Sequence, residues 1–198
     1  FLPISFFIYI TLVKKKSNFT QIFILIFSII FYCYFSIWNF FILFLSVIFN
    51  YFISRKVQKK SYLYIAILVN LLFLAFFKYN SAFIFFSNHY LDTSINNFNI
   101  LLPLAISFFT LQQIGYQFDI YYKEIKPSKK FVKYFLFVTF FPQLIAGPIV
   151  HYKQVEKKFN LNNQFKTLTK TRILGLILFI IGLSKKVLIA DQIDFYSD

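Results

Sequence analysis

From Phe19 to Ser54 the chain carries no Asp, Glu, Lys or Arg. A single helix over that stretch would be about 54 Å long at ~1.5 Å per residue, whereas the hydrocarbon core of a bilayer is about 30 Å thick. The stretch therefore reads as two short spans, 19–35 and 37–53, joined by a tight turn near Ser36, Trp38 and Asn39. Its flanks agree. Lys14, Lys15 and Lys16 precede it and Arg55, Lys56, Lys59 and Lys60 follow it. A hairpin puts both basic clusters on one side, as expected when Lys and Arg gather in cytoplasmic loops. A soluble domain is excluded, because 59% of the residues are hydrophobic and only 14% charged, against about 25% charged in soluble domains. A chain of this length leaves too much of itself exposed to hide that apolar surface, and the same composition excludes disorder. The pattern predicts an all-α, polytopic helical membrane protein.

The net charge of +14 points the same way. Its basic residues sit between apolar runs and not in a stripe with interleaved aromatics, so they mark loop topology and not a nucleic-acid surface. The first apolar run, 1–13, is followed by its lysines, whereas a signal peptide carries its charge first. It reads as the remainder of a first span. Met is absent and no closing feature precedes Asp198, so the chain is expected to be incomplete at both ends. Cys33 stands alone, without a disulfide partner or metal-ligand spacing. Asn18-Phe19-Thr20 fits a glycosylation acceptor by pattern only, beside the Lys triplet. No internal repeat is visible.

The next span is 61–77, ended by Lys78, with Tyr79 to Asn99 as a polar outer loop that holds His89. Residues 100–122 cross back, and Lys123, Lys126, Lys129, Lys130 and Lys133 form another cytoplasmic cluster. The segment 134–150 is uncharged and long enough to cross, yet Lys153, Lys157, Lys158, Lys166, Lys170 and Arg172 follow it. A segment that enters and returns reconciles the two. Pro142 and Gly147-Pro148 break the helix, and irregular backbone at membrane depth is tolerated where protein buries it or a water-filled cavity runs beside it. The alternative is a Pro-kinked span packed against its neighbours. Residues 173–190 form a further membrane element, either a tilted helix with snorkelling Lys185 and Lys186 or a half-buried one.

Few residues offer chemistry. His151, at the exit of the broken segment, is either a general-base candidate or an interfacial histidine. Asp119 lies inside a span, where ionisable groups are costly and often functional, but Lys123 one turn on allows a local ion pair. Gln112, Gln113 and Gln117 make the same helix too polar for full lipid exposure, which leaves Gln113 and Asp119 as possible polar lining. Gln143 adds a polar group beside Pro142. Paired carboxylates, a phosphate-binding glycine loop and a Ser–His–Asp pattern are absent.

Two blocks resemble a known family. One runs Ile100-Leu-Leu-Pro103-Leu-Ala-Ile-Ser107-Phe-Phe-Thr110 and on through Gly115-Tyr116-Gln-Phe-Asp119-Ile-Tyr121; the other runs from Phe140 through Pro142-Gln143 to Gly147-Pro148-Ile149. Phe49-Asn50-Tyr51-Phe52-Ile53, Phe77-Lys78-Tyr79 and Gly182 to Asp191 agree in order and spacing. Together they resemble the membrane-bound O-acyltransferase family, in its bacterial alginate O-acetyltransferase and D-alanyl-transfer branch. The resemblance implies a multi-pass protein of the bacterial inner membrane. Such a protein moves an acyl group, usually acetyl, from a cytoplasmic thioester to hydroxyls of an extracytoplasmic polysaccharide such as alginate or peptidoglycan. It implies the donor as a substrate with no bound cofactor, and an acceptor polysaccharide or a separate extracytoplasmic transferase as partner. The family's catalytic histidine sits in a later, Trp-rich segment that this chain does not contain, and His151 does not match that motif, so no catalytic residue is carried over. Pro142, Gln143, Gly147 and Pro148 are carried over as cavity-lining residues. A transporter or polysaccharide-export component is the alternative, since broken helices and midplane polar groups also mark transporters; a non-catalytic scaffold is a third reading.

Overall fold

The computed structural model describes residues 4, 5, 7, 8, 20–90, 102–144, 147, 150–159 and 168–195. They are helical throughout their regular structure, and they divide into two compact units, Phe1–Phe159 and Asn160–Asp198. The expected span 1–13 lies mostly outside the described residues.

In the first unit, α1 (Thr20–Phe35) and α2 (Ile37–Ser54) are separated by Ser36 alone. Ser36 is extended, and its hydroxyl accepts from the Asn39 backbone N–H, as an N-cap serine does. The two helices pack on each other. Helix α3 runs from Lys60 to Tyr90, past the expected end at Lys78, so Tyr79 to Tyr90 is helix and not loop, and His89 sits in its last turn. The sequence from Lys60 to Tyr90 holds neither Pro nor Gly. One lysine does not stop a helix; the Lys78 ammonium lies 5.7 Å from the centre of the Tyr79 ring, a cation–π contact that suits the edge of an apolar layer.

Helix α4 covers Ile106–Tyr121, shorter than the expected 100–122. Pro103 and a left-handed Ala105 (φ 57°) set its start, and the Tyr32 hydroxyl donates to the Leu104 carbonyl beside it. Its end is a Schellman turn: Glu124 N–H donates to the Asp119 carbonyl and Lys123 N–H to that of Ile120. Lys123 takes the left-handed position (φ 60°) that glycine usually fills.

Helix α5 (Phe131–Thr139) and the four-residue α6 (Phe141–Leu144) are separated by Phe140, whose ψ of 102° ends the first helix. The break therefore precedes Pro142. Proline belongs in the first turn of a helix, where the missing N–H would have no partner anyway; here it opens α6 and does not end α5. After Gly147 and Val150 the chain enters α7 (Tyr152–Phe159).

The core of this unit is aromatic. Tyr32, Tyr116, Tyr134, Phe109 and Phe137 are buried, and the Tyr116 and Tyr134 ring centres lie 4.7 Å apart. Outside, Phe41, Leu45 and Phe52 of α2 and Leu68, Leu72 and Phe76 of α3 are exposed. Soluble proteins rarely show such continuous apolar surface. Ile37–Ser54 and Lys60–Asn80 are both long and apolar enough to cross a membrane.

In the second unit, α8 (Leu168–Lys185) passes through a π-helical turn, Lys186–Ala190, into α9 (Asp191–Phe195). The π turn brings residues five apart together, and Lys186 Nζ lies 3.3 Å from the Asp191 carboxylate. Lys185 and Lys186 lie within the helical run. Ile173–Ile193 is continuous, apolar and 21 residues long, close to the roughly 20 residues that a bilayer requires.

Candidate functional site

Helix α4 carries a polar face into the interior of the first unit. Gln113 and Gln117 lie one turn apart on it, as do Ser46 and Asn50 on α2. The Gln113 amide donates to Ser46 Oγ at 3.0 Å, and the Tyr134 hydroxyl donates to Gln113 Oε1 at 3.1 Å. The Gln117 amide donates to both the backbone and side-chain oxygens of Asn50, each at 3.0 Å. Asn50 and Asn70 exchange amide hydrogen bonds at 3.0 and 2.8 Å, joining α2 to α3. Gln112 donates to the Phe137 carbonyl at 3.2 Å. All these amides are buried, and buried polar groups require such partners because an unpaired one costs about 1–3 kcal/mol. The network makes α4 the fixed element against which the broken segment is placed.

That segment is tied at both ends. At its entry the Phe141 N–H donates to Ser28 Oγ at 3.4 Å, and the Phe31 and Phe141 rings lie 5.6 Å apart. At its exit His151 Nδ1 lies 3.0 Å from both oxygens of Asp119. The carboxylate is buried, with its side chain 7% exposed, while the imidazole is 62% exposed. Asp119 therefore pairs with His151 and not with Lys123. The left-handed backbone at Lys123 takes that residue out of the helix, where the one-turn spacing no longer applies. A carboxylate only accepts, so Nδ1 is the donor in this contact. Between the two ties, Gly147 N–H donates to the Gln143 carbonyl at 3.0 Å. A Cβ at Gly147 would sit 2.5 Å from Gln143 Cγ and 2.7 Å from that carbonyl oxygen. Glycine is thus required by the close approach. Pro142 is exposed. Pro148 lies outside the described residues.

Sequence reasoning missed a second cluster, on the turns after α2 and α4. Three tyrosines hold the loop 126–130. The Tyr51 hydroxyl donates to the Lys129 carbonyl at 3.0 Å, Ser128 N–H donates to the Tyr116 hydroxyl at 2.8 Å, and the Tyr152 hydroxyl donates to Ser128 Oγ at 2.9 Å. Burial pushes the Tyr152 phenol above its ordinary value, against the opposing pull of its Ser128 bond, so near neutral pH it remains a donor. The basic residues of this loop were legible only as topology signals; the tyrosines that hold its Ser128 and Lys129 come from three other helices.

Apolar faces turned outward, helices of crossing length and an interior tied by side-chain amides define a helical membrane protein. Over its whole length the chain is 34% identical to the peptidoglycan O-acetyltransferase of Helicobacter pylori, of which it covers 44%. It is 31% identical to the probable alginate O-acetylase of Pseudomonas syringae and 30% identical to that of Pseudomonas aeruginosa, again over its whole length and covering 39% of each. The chain belongs to the membrane-bound O-acyltransferase family, with the alginate O-acetylases and their peptidoglycan counterpart. It spans less than half the length of these curated relatives. No protein-family model and no solved structure matches it.

Proposed function

We propose that the intact protein is a multi-pass O-acetyltransferase of the bacterial inner membrane. It moves acetyl from a cytoplasmic thioester to hydroxyls of an extracytoplasmic polysaccharide, alginate-like or peptidoglycan, presented directly or by a separate transferase. The observation that carries this reading is the match, over the whole of this chain, to parts of relatives named as peptidoglycan and alginate O-acetylases. In the transfer, the acceptor oxygen attacks the thioester carbonyl, an ester forms, the C–S bond breaks, and the thiol leaves as a base takes the hydroxyl proton. No residue of this chain is assigned as that base. Its contribution is the tied, broken segment. At 9 residues, α5 is about 14 Å long and cannot cross a core of about 30 Å. A re-entrant path through 134–150, with Pro142, Gln143, Gly147 and Pro148 beside the cavity and Gln113 and Asp119 behind them, accounts for that shortness and for the lysines that follow. The test of the reading is acetyl transfer by the intact protein in sealed vesicles.

The re-entrant path has its own test. It places Lys153, exposed at the start of α7, in the cytoplasm. In a protein whose Cys33 has been replaced by Ala, Lys153→Cys is expected to react with a membrane-permeant maleimide in whole cells and to resist an impermeant one. Labelling of intact spheroplasts by the impermeant reagent would show that 134–150 crosses.

A further inference from the structure

A groove of about 450 Å³ lies between the turn after α2 and the loop before α5, lined by Arg55, Gln58, Lys126, Pro127, Ser128 and Lys129. Three of its six lining residues are cationic and none is acidic. Like charges gathered in one concavity repel, and an anion seated among them removes that penalty. The walls are braced. An Arg55 guanidinium N–H donates to the Tyr51 hydroxyl at 2.8 Å, and the guanidinium carbon lies 4.8 Å from that ring's centre. The same hydroxyl donates to the Lys129 carbonyl, so one tyrosine positions both sides. Ser128 is fixed by Tyr116 and Tyr152. Lys56 and Lys60 do not line the groove; they lie over the rings of Tyr62 and Tyr64, at 5.7 and 5.6 Å.

We propose that this groove is a binding site for a phosphate-bearing anion, with Arg55 as the planar fork and Lys126 and Lys129 as point charges. An arginine fork matches two phosphate oxygens at once, and lysine supplies charge without fixing orientation. The phosphate has two possible sources, a soluble phosphorylated carrier or the headgroup of an acidic lipid. The assignment stands on the groove itself and does not require acetyl transfer.

The experiment uses the intact protein in nanodiscs. In phosphatidylcholine discs, binding of inorganic pyrophosphate is followed by calorimetry at low and high salt. In discs of phosphatidylcholine with phosphatidylglycerol, the acidic lipid retained on detergent extraction is counted by native mass spectrometry. The variant is Lys126→Gln/Lys129→Gln, which spares the Lys129 carbonyl that braces Tyr51; Arg55→Gln is the second. Saturable, salt-sensitive pyrophosphate binding that weakens about tenfold or more in both variants establishes a soluble ligand. Retention of phosphatidylglycerol lost in both variants, without pyrophosphate binding, establishes a lipid site. Wild-type protein that retains neither probe, or variants that bind both as the wild type does, overturns the proposal.

Discussion

In the intact protein, Gly147→Leu is expected to lower acetyl transfer by about a hundredfold or more while leaving expression and membrane insertion unchanged. The cause is local. A Cβ at this position would lie 2.7 Å from the Gln143 carbonyl oxygen and 2.8 Å from its Cα, and both belong to backbone that cannot swing aside as a side-chain tip can. The turn that closes on Gln143 must open, and the chain between α6 and His151 must move. Overpacking of this kind costs about 1–3 kcal/mol, and a displacement near 1 Å at a reacting site costs about a hundredfold in rate. Insertion depends on the apolar helices α2 and α3, which are long and apolar enough to cross. Gly147→Ala already introduces the clashing atom and is expected to fall in the same direction. Transfer rates of wild-type and variant protein, at equal amounts in the membrane, decide it; an unimpaired Leu variant would remove the broken segment from the mechanism.

His151→Ala is expected to destabilise the protein by about 1–2 kcal/mol, and Asp119→Asn/His151→Ala by less than His151→Ala alone. The single change leaves a buried carboxylate without its hydrogen-bond partner. Breaking a fully buried pair costs about 3–5 kcal/mol and an exposed one under about 1; this pair lies between, with Asp119 buried and His151 open. Neutralising Asp119 removes the stranded charge, so the double variant recovers part of the loss. Thermal midpoints in detergent for the two single variants and the double variant give the coupling directly. Additive losses would mean that the 3.0 Å contact carries no energy. Transfer is expected to fall less than about tenfold in His151→Ala, as for a residue that positions the segment; loss near that of a missing general base, about 10²–10⁴, would make it catalytic.

The hairpin at Ser36 was legible because a charge-free run longer than one crossing has to turn, and a serine that caps the second helix marks where. The buried side of α4 was legible from Gln112, Gln113 and Gln117, which lipid would not accept. Four features were not. A lone Lys78 reads as a boundary, but a lysine keeps helical backbone and the stretch holds neither Pro nor Gly, so α3 runs on. Pro142 reads as the break, yet its ring is compatible with a helix's first turn, and Phe140 breaks instead. Asp119 and Lys123 read as neighbours on a helix, until a left-handed residue removes Lys123 from it; the true partner, His151, comes from another part of the chain. The basic groove needs two loops and three tyrosines from separate helices, an arrangement that local patterns do not encode.

The central claim is transfer of an acetyl group by a membrane protein, and one measurement meets it directly. Intact protein is reconstituted in sealed vesicles with polysaccharide on one face and an acetyl-labelled thioester on the other, and free thiol and polysaccharide ester are counted together. The expected result is one ester formed for each thiol released, at a rate lowered about a hundredfold or more by Gly147→Leu. Polysaccharide that crosses the membrane while the thioester stays intact would contradict it and assign the protein to transport.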